Sequence, residues 1–226
     1  MSTSAIIVAA GSSKRMGFHK LSAELLGKPV LRWTIEAFDR CDAVDDLLIV
    51  VGEATREMVL EWAEDGLFTK PIVISEGGAE RHLSVHEGLK QLPDSADIVA
   101  VHDGARPLIT PEQISRCIAR ARECKAVACA RPVTETLKRA DERGVITGNI
   151  DRDGAWVMET PQVFERSLLC RAYERVVAEG ALVTDEVSAV QRLGVEIFVV
   201  ENPLPNPKVT FAEDLRFAEQ LMSRPR

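Results

Sequence analysis

The chain has 226 residues, with 28 Lys or Arg against 35 Asp or Glu, and its net charge of -7 at pH 7 excludes broad electrostatic binding to nucleic acid or to an anionic membrane surface. Hydrophobic residues make up 46% and charged residues 28%, the composition of a globular fold with one sizeable core. The longest apolar runs, such as Ala5–Ala10, are far shorter than the ~18 residues that cross a bilayer, and no basic residue precedes that run as in a secretion signal, so the expected compartment is the cytoplasm.

In chain order, apolar β-rich runs at about 5–10, 47–51, 71–75, 98–102, 126–130 and 196–200 read as central strands. Between and after them, amphipathic stretches at about 28–40, 53–65, 80–91, 111–124, 164–179, 185–193 and 211–223 read as helices. This alternation predicts a single α/β domain over 1–226, built as a Rossmann-like, mostly parallel sheet with helices on both faces. Ligands of such sheets bind beyond the carboxyl ends of the strands.

The first strand runs into Ala10-Gly11-Ser12-Ser13-Lys14-Arg15-Met16-Gly17, followed by Lys20. Small side chains let backbone N–H groups approach a polyphosphate, and nearby cations neutralise it. The spacing is neither G-x-G-x-x-G nor G-x-x-x-x-G-K-[ST], so a dehydrogenase and a P-loop kinase lose their main support. His82 and His86 share helical i, i+4 spacing without an H-E-x-x-H motif or a third ligand, which favours surface or capping histidines over a metal site. The fourth strand ends in Val101-His102-Asp103-Gly104-Ala105-Arg106-Pro107. Here Asp103 can hold Mg²⁺ and Arg106 can grip a phosphate, or Asp103 can cap the helix near Thr110 or pair with Arg106.

Residues 131–156 break the rhythm, with alternation on either side of Glu142-Arg143-Gly144 that predicts a hairpin arm. Its apolar content (Val133, Leu137, Val145, Ile146, Ile150) is too thin to stand alone, so it packs on a second subunit or folds back over its own domain. Further on, Thr184-Asp185-Glu186 reads as a helix cap, and Lys208 is a phosphate contact or a surface lysine. Five cysteines without a C-x-x-C pair read as free thiols.

Taken together, AAGSSKRM at 9–16, LLGKPVL at 25–31, GGAERHLSV at 77–85, VHDGARP at 101–107, PVTETLKRAD at 132–141, DRDGAWVMETPQVF at 151–164, TDEVS at 184–188 and NPKVTFAEDL at 206–215 resemble the 2-C-methyl-D-erythritol 4-phosphate cytidylyltransferases of the non-mevalonate isoprenoid pathway. The first motif is shared by many nucleotidyltransferases; TPQ-x-F, TDE-x-S and N-x-K-x-T together are much more specific. Departures from the family pattern are Ser13 for a usual second glycine, Phe18-His19 before Lys20, His82-Leu83 before Ser84, and Glu159 for a usual glutamine.

The resemblance implies a nucleotide-diphospho-sugar transferase-like fold and transfer of CMP from CTP to methylerythritol phosphate, with Mg²⁺ bridging the phosphates near Asp103. It implies Arg15 and Lys20 as the catalytic cations. Ala9, Ala10, Gly11, Ser12, Ser13, Gly78, Ala79, Ser84 and Lys208 would bind the nucleotide. For the acceptor it implies Arg106, Thr160, Thr184 and Asp185, joined by Thr136 and Arg152 from the arm of a partner subunit in a homodimer. Two alternatives keep much of this pattern: a cytidylyltransferase for another polyol phosphate such as ribitol 5-phosphate, and a noncatalytic nucleotide-binding protein.

Overall fold

A computed structural model describes residues 1–11 and 19–223. The chain opens with strand β1 (Ser2–Ala9), a small hairpin of β2 (Glu24–Leu25) and β3 (Lys28–Pro29), and helix α1 (Val30–Asp39). Then come β4 (Asp46–Val51), α2 (Glu53–Glu64), β5 (Ile72–Glu76), α3 (Arg81–Lys90), β6 (Ala96–Asp103), α4 (Pro111–Cys124) and β7 (Ala126–Pro132). The arm is β8 (Leu137–Ala140) and β9 (Ile146–Ile150), and the chain closes with β10 (Trp156–Glu165), α5 (Arg166–Ala178), α6 (Glu186–Gln191), β11 (Phe198–Glu201) and α7 (Ala212–Met222).

Seven strands form one sheet in the order β11-β7-β10-β6-β1-β4-β5. All neighbours pair in parallel except β10, which runs antiparallel to both β6 and β7. Both faces are covered, and the side chains of β1 alternate between them. Ala5, Ile7 and Ala9 pack with α1, α2 and α4 residues such as Ile35, Phe38, Val59 and Ile114. Ile6 packs on the other face with Val85 of α3 and Leu169, Ala172 and Tyr173 of α5. No described helix is long and apolar enough to cross a membrane.

Three sequence expectations are corrected. The runs at 71–75 and 196–200 are edge strands, as half-exposed Val73, Phe198 and Val199 show. The stretch assigned to a helix from 164 begins as the last residues of β10, and α5 starts only at Arg166. Strand β10 itself escaped the pattern because Glu159, Thr160 and Gln162 are polar yet buried, and Pro161 sits inside it. Its pairing with β7 jumps from Met158–Ala130 to Gln162–Ala128, so Glu159, Thr160 and Pro161 form a bulge that spares the ladder a missing N–H.

The arm does not fold back. Asp141 Oδ1 accepts from the N–H groups of Arg143 and Val145 to close its turn, with Gly144 at φ 79°. Val145 and Ile146 are 51% and 65% exposed, and Ile150, Trp156 and Val157 are exposed as well.

Candidate active site

From β1 the chain goes on to β4 and from β6 to β7, in opposite directions along the strand order, so the carboxyl ends of these two adjacent strands mark its topological switch point. Gly104 closes the crevice wall: its N–H donates to the Val8 carbonyl at 3.0 Å, and a Cβ there would lie 3.0 Å from the same oxygen. Across β1, Gly52 and Gly77 crowd Ala10. A Cβ on Gly52 would stand 2.8 Å from the Ala10 carbonyl oxygen, and one on Gly77 2.3 Å from the Ala10 Cβ. Gly78 is pressed against Leu83 and Ser84 in the same way, and the Ser84 hydroxyl donates to the Glu80 carbonyl at 3.0 Å. Ala10 and the loop of Gly77, Gly78 and Ser84 are therefore neighbours across the end of β1, with Gly11 exposed beside them and Ala9 and Ser84 buried. Gly52 had no signal of its own in the sequence beyond following an apolar run.

Residues 12–18, with Ser12, Ser13 and Arg15, lie outside the described residues. Just after them, Lys20 is half-buried, and His19 Nε2 lies 3.2 Å from the Gly11 carbonyl oxygen.

On the other side of the switch point, buried Asp103 is the hub of three cations. Its Oδ1 accepts from Arg81 Nε at 3.0 Å, and its Oδ2 from Lys208 Nζ at 3.0 Å and Arg106 Nε at 3.3 Å. Burial alone would raise this carboxyl, but Arg81, Lys208 and Arg106 outweigh it and hold Asp103 well below the usual carboxylate range. Asp103 pairs with Arg106 and does not cap α4, whose cap is Thr110, accepting from the Gln113 N–H at 3.3 Å, and Lys208 is ion-paired to Asp103.

The bulge of β10 supplies the next layer. Thr160 Oγ1 accepts the Asp103 N–H at 3.1 Å and bonds His102 Nδ1 at 2.9 Å, while His102 Nε2 faces the Arg106 carbonyl at 3.2 Å. With a neutral ring, one proton arrangement satisfies all of them: Nε2–H donates to Arg106, and the Thr160 hydroxyl donates to a bare Nδ1. Burial drives His102 down to about 3, so the ring is neutral. Arg106 is pinned further by the carbonyls of Asn206 at 2.9 Å and Met158 at 3.5 Å. Glu159 is buried beside them and accepts from Asn202 Nδ2 at 2.8 Å, and burial pushes its carboxyl up.

Asp185 caps α6 with Oδ1 on the Ser188 N–H at 2.9 Å and accepts Gln162 Nε2 on Oδ2 at 3.0 Å; Thr184 beside it is exposed. Thr136 and Arg152 lie exposed on the arm, where Arg152 donates to the Thr134 carbonyl. Among the described residues neither makes a hydrogen bond or ion pair with the Asp103 cluster of its own chain. His82, expected as a surface or capping histidine, is buried in the first turn of α3, 3.4 Å from the N-cap residue Glu80.

The sequence assigns Arg81 no role and reads Glu186 only as part of a helix cap, whereas the structure pairs the two beside Asp103. Arg81 bonds Glu186 through two N–H groups at 2.7 and 3.2 Å. Burial opposes its charge, and Glu186 and Asp103 overrule it, so its pKa stands well above the ordinary guanidinium value.

As for a metal, one carboxylate ringed by three cations cannot retain a divalent ion, and among the described residues no three ligating side chains cluster. The donor set does fit a Mg²⁺ ion carried in on substrate phosphates, since that ion keeps water and phosphate ligands and takes one or two carboxylates from a protein. The arrangement as a whole is suited to charge neutralisation on a polyanion next to bare backbone.

The family model for 2-C-methyl-D-erythritol 4-phosphate cytidylyltransferase (IspD) matches residues 3–224. A relative of that name from Caldanaerobacter subterraneus subsp. tengcongensis is 40% identical, over 99% of this chain and 100% of its own. One from Prochlorococcus marinus is 41% identical, over 96% of this chain and 97% of its own. The crystal structure of 4-diphosphocytidyl-2C-methyl-D-erythritol synthase from Anaerococcus prevotii superposes with a TM-score of 0.87 at 30% identity, covering 99% of this chain and 96% of that one.

Proposed function

We propose, from the premise that the chain belongs to the 2-C-methyl-D-erythritol 4-phosphate cytidylyltransferase family, that it transfers CMP from CTP to 2-C-methyl-D-erythritol 4-phosphate in non-mevalonate isoprenoid biosynthesis. The products are 4-diphosphocytidyl-2-C-methyl-D-erythritol and pyrophosphate. The observation that carries this reading is the convergence of Arg81, Arg106 and Lys208 on Asp103 at the switch point, opposite the bare backbone of Ala10 and Gly11.

A phosphate oxygen of the acceptor attacks the α-phosphorus in line and pyrophosphate leaves, so no protein nucleophile is required. The nucleotide lies along Ala9–Gly11 and the loop of Gly78, Ala79 and Ser84, with Lys208 on its phosphates and Ser12 and Ser13 completing the loop. Arg15 and Lys20 neutralise the charge that builds on the α-phosphate. Arg106, Thr160, Thr184 and Asp185 serve the acceptor, the last chiefly by fixing the start of α6. Asp103 would hold a Mg²⁺ ion together with the substrate phosphates, and that ion would supply further charge neutralisation.

A homodimer is part of the proposal. The exposed apolar surface of the arm supports it, and a partner would receive Thr136 and Arg152 on that arm. The cytoplasm is the proposed compartment, consistent with five free cysteines.

Pyrophosphate release from CTP with a panel of polyol phosphates tests the reading. Methylerythritol phosphate is expected to give the highest kcat/KM. A higher value with ribitol 5-phosphate, or release with no acceptor, would overturn it.

A further inference from the structure

One guanidinium in the cluster spans two carboxylates. Arg81, the first residue of α3, gives Nη1 and Nη2 to the two oxygens of Glu186 and Nε to Asp103. Glu186 has no solvent exposure, and the Tyr173 hydroxyl donates to its Oε1 at 3.0 Å. Three cations against two carboxylates, with His102 neutral, leave the group at a net charge of +1.

Stability alone does not account for such a trio, because apolar side chains of similar volume commonly hold a core as well as a buried ion pair does. Its placement is informative instead. Arg81 directly follows the Gly77–Glu80 loop on the nucleotide side, and Glu186 directly follows Thr184 and Asp185 on the acceptor side. Glu186 reaches neither substrate-facing rim itself; it touches Arg81 and Tyr173.

We propose that Glu186 and Arg81 are positioning residues for the transfer: Glu186 fixes the guanidinium plane so that a single edge meets Asp103, which keeps the second Asp103 oxygen turned toward Lys208 and Arg106 and ties the start of α3 to the start of α6. This rests on the cytidylyltransferase reading. Without the Glu186 charge, Arg81 can rotate to put two donors on Asp103 or move toward the phosphates, and the cluster becomes more positive by one charge. Either change misplaces Asp103 and Lys208 for CTP.

The test is a double-mutant cycle on the full-length protein, with kcat, KM for each substrate, and the Kd of CTP measured without acceptor. Glu186→Gln is expected to lower kcat roughly 10-fold or more and to weaken CTP, although Glu186 does not touch it. Arg81→Lys, which keeps the charge but loses the fork, is expected to lose about as much. Because Glu186 acts through Arg81 and Asp103, adding Glu186→Gln to Asp103→Asn should cost less than about 3-fold beyond Asp103→Asn alone. Losses that multiply would overturn the proposal, since they would mean that Glu186 does not act through Asp103, and an unchanged Kd of CTP and kcat in Glu186→Gln, with only stability lowered, would assign it a merely structural role. Should Glu186→Gln fail to fold, Tyr173→Phe, which removes a single hydroxyl, enters the same cycle with the same criterion. An active parent enzyme with multiplicative losses refutes the positioning role alone; a parent that neither binds CTP nor releases pyrophosphate refutes the functional reading and this proposal with it.

Discussion

The main-chain N–H of Asp103 donates to the hydroxyl of Thr160 at 3.1 Å, so the last residue of β6, which faces Val8 of β1 on one side, is held on the β10 side by a side chain from the bulge rather than by a ladder partner. The same hydroxyl donates a hydrogen bond to His102 Nδ1, and the His102 Nε2–H donates to the Arg106 carbonyl. The carboxylate that collects the three cations thus inherits its position from a neutral, fully hydrogen-bonded chain, and this yields a first prediction. Thr160→Val removes the hydroxyl at nearly constant volume and leaves two buried polar groups unpaired, which should destabilise the protein by about 2 kcal/mol or more. Thr160→Ser should recover most of that. Urea unfolding of the pair measures it, and a valine variant as stable as the parent would show that this chain does not hold the site.

The second prediction concerns acid. His102 titrates at 6.5 ordinarily and at about 3 when buried here, so between these values the unfolded chain binds a proton that the native one does not. Its contribution to stability is therefore complete above pH 6.5 and falls as pH drops toward 3, by up to about 1.4 kcal/mol per pH unit. Asp103, held low by its cations, adds a loss in the same direction at still lower pH. Comparing unfolding at pH 6.5 and 4.5, His102→Gln should show a shallower pH slope than the parent. Equal slopes would mean that His102 is protonated in the native state.

A third prediction follows from the family positions of Arg15 and Lys20. Each substitution by methionine should reduce kcat by roughly 10²-fold, the scale of losing a charged donor at a transition state, while thermal stability stays near that of the parent. A change confined to KM would assign the residue to ground-state binding. Normal turnover by Lys20→Met would shift attention to Lys14.

The fourth prediction addresses the arm. If Thr136 and Arg152 serve a partner's acceptor site, inactive Arg152→Ala protein mixed with inactive Lys20→Met protein should regain part of the activity, because one site of each mixed dimer carries neither lesion. Absence of recovery with proven subunit exchange, or an active species that sediments as a monomer, would assign the arm to its own chain.

Much of this molecule is legible in one dimension. Strands β1, β4 and β6 are continuous apolar runs because both of their faces are covered, and the helices between them repeat their apolar positions at helical spacing, so local pattern and final burial agree. The Asp103–Arg106 turn and the hairpin of the arm were likewise visible, since each is made by neighbours in sequence. Strand β10 was not. Its polar residues are buried against His102, Asn202 and Asp185, partners 58, 43 and 23 positions away, and no local rule prices a polar side chain by a hydrogen bond that distant. Nor could sequence say that Arg81 and Glu186, 105 residues apart, form one pair across Asp103. Residue type and spacing determine which groups are available along the chain, whereas burial decides which of them must find each other, because only away from water does an unpaired charge become too costly to leave alone.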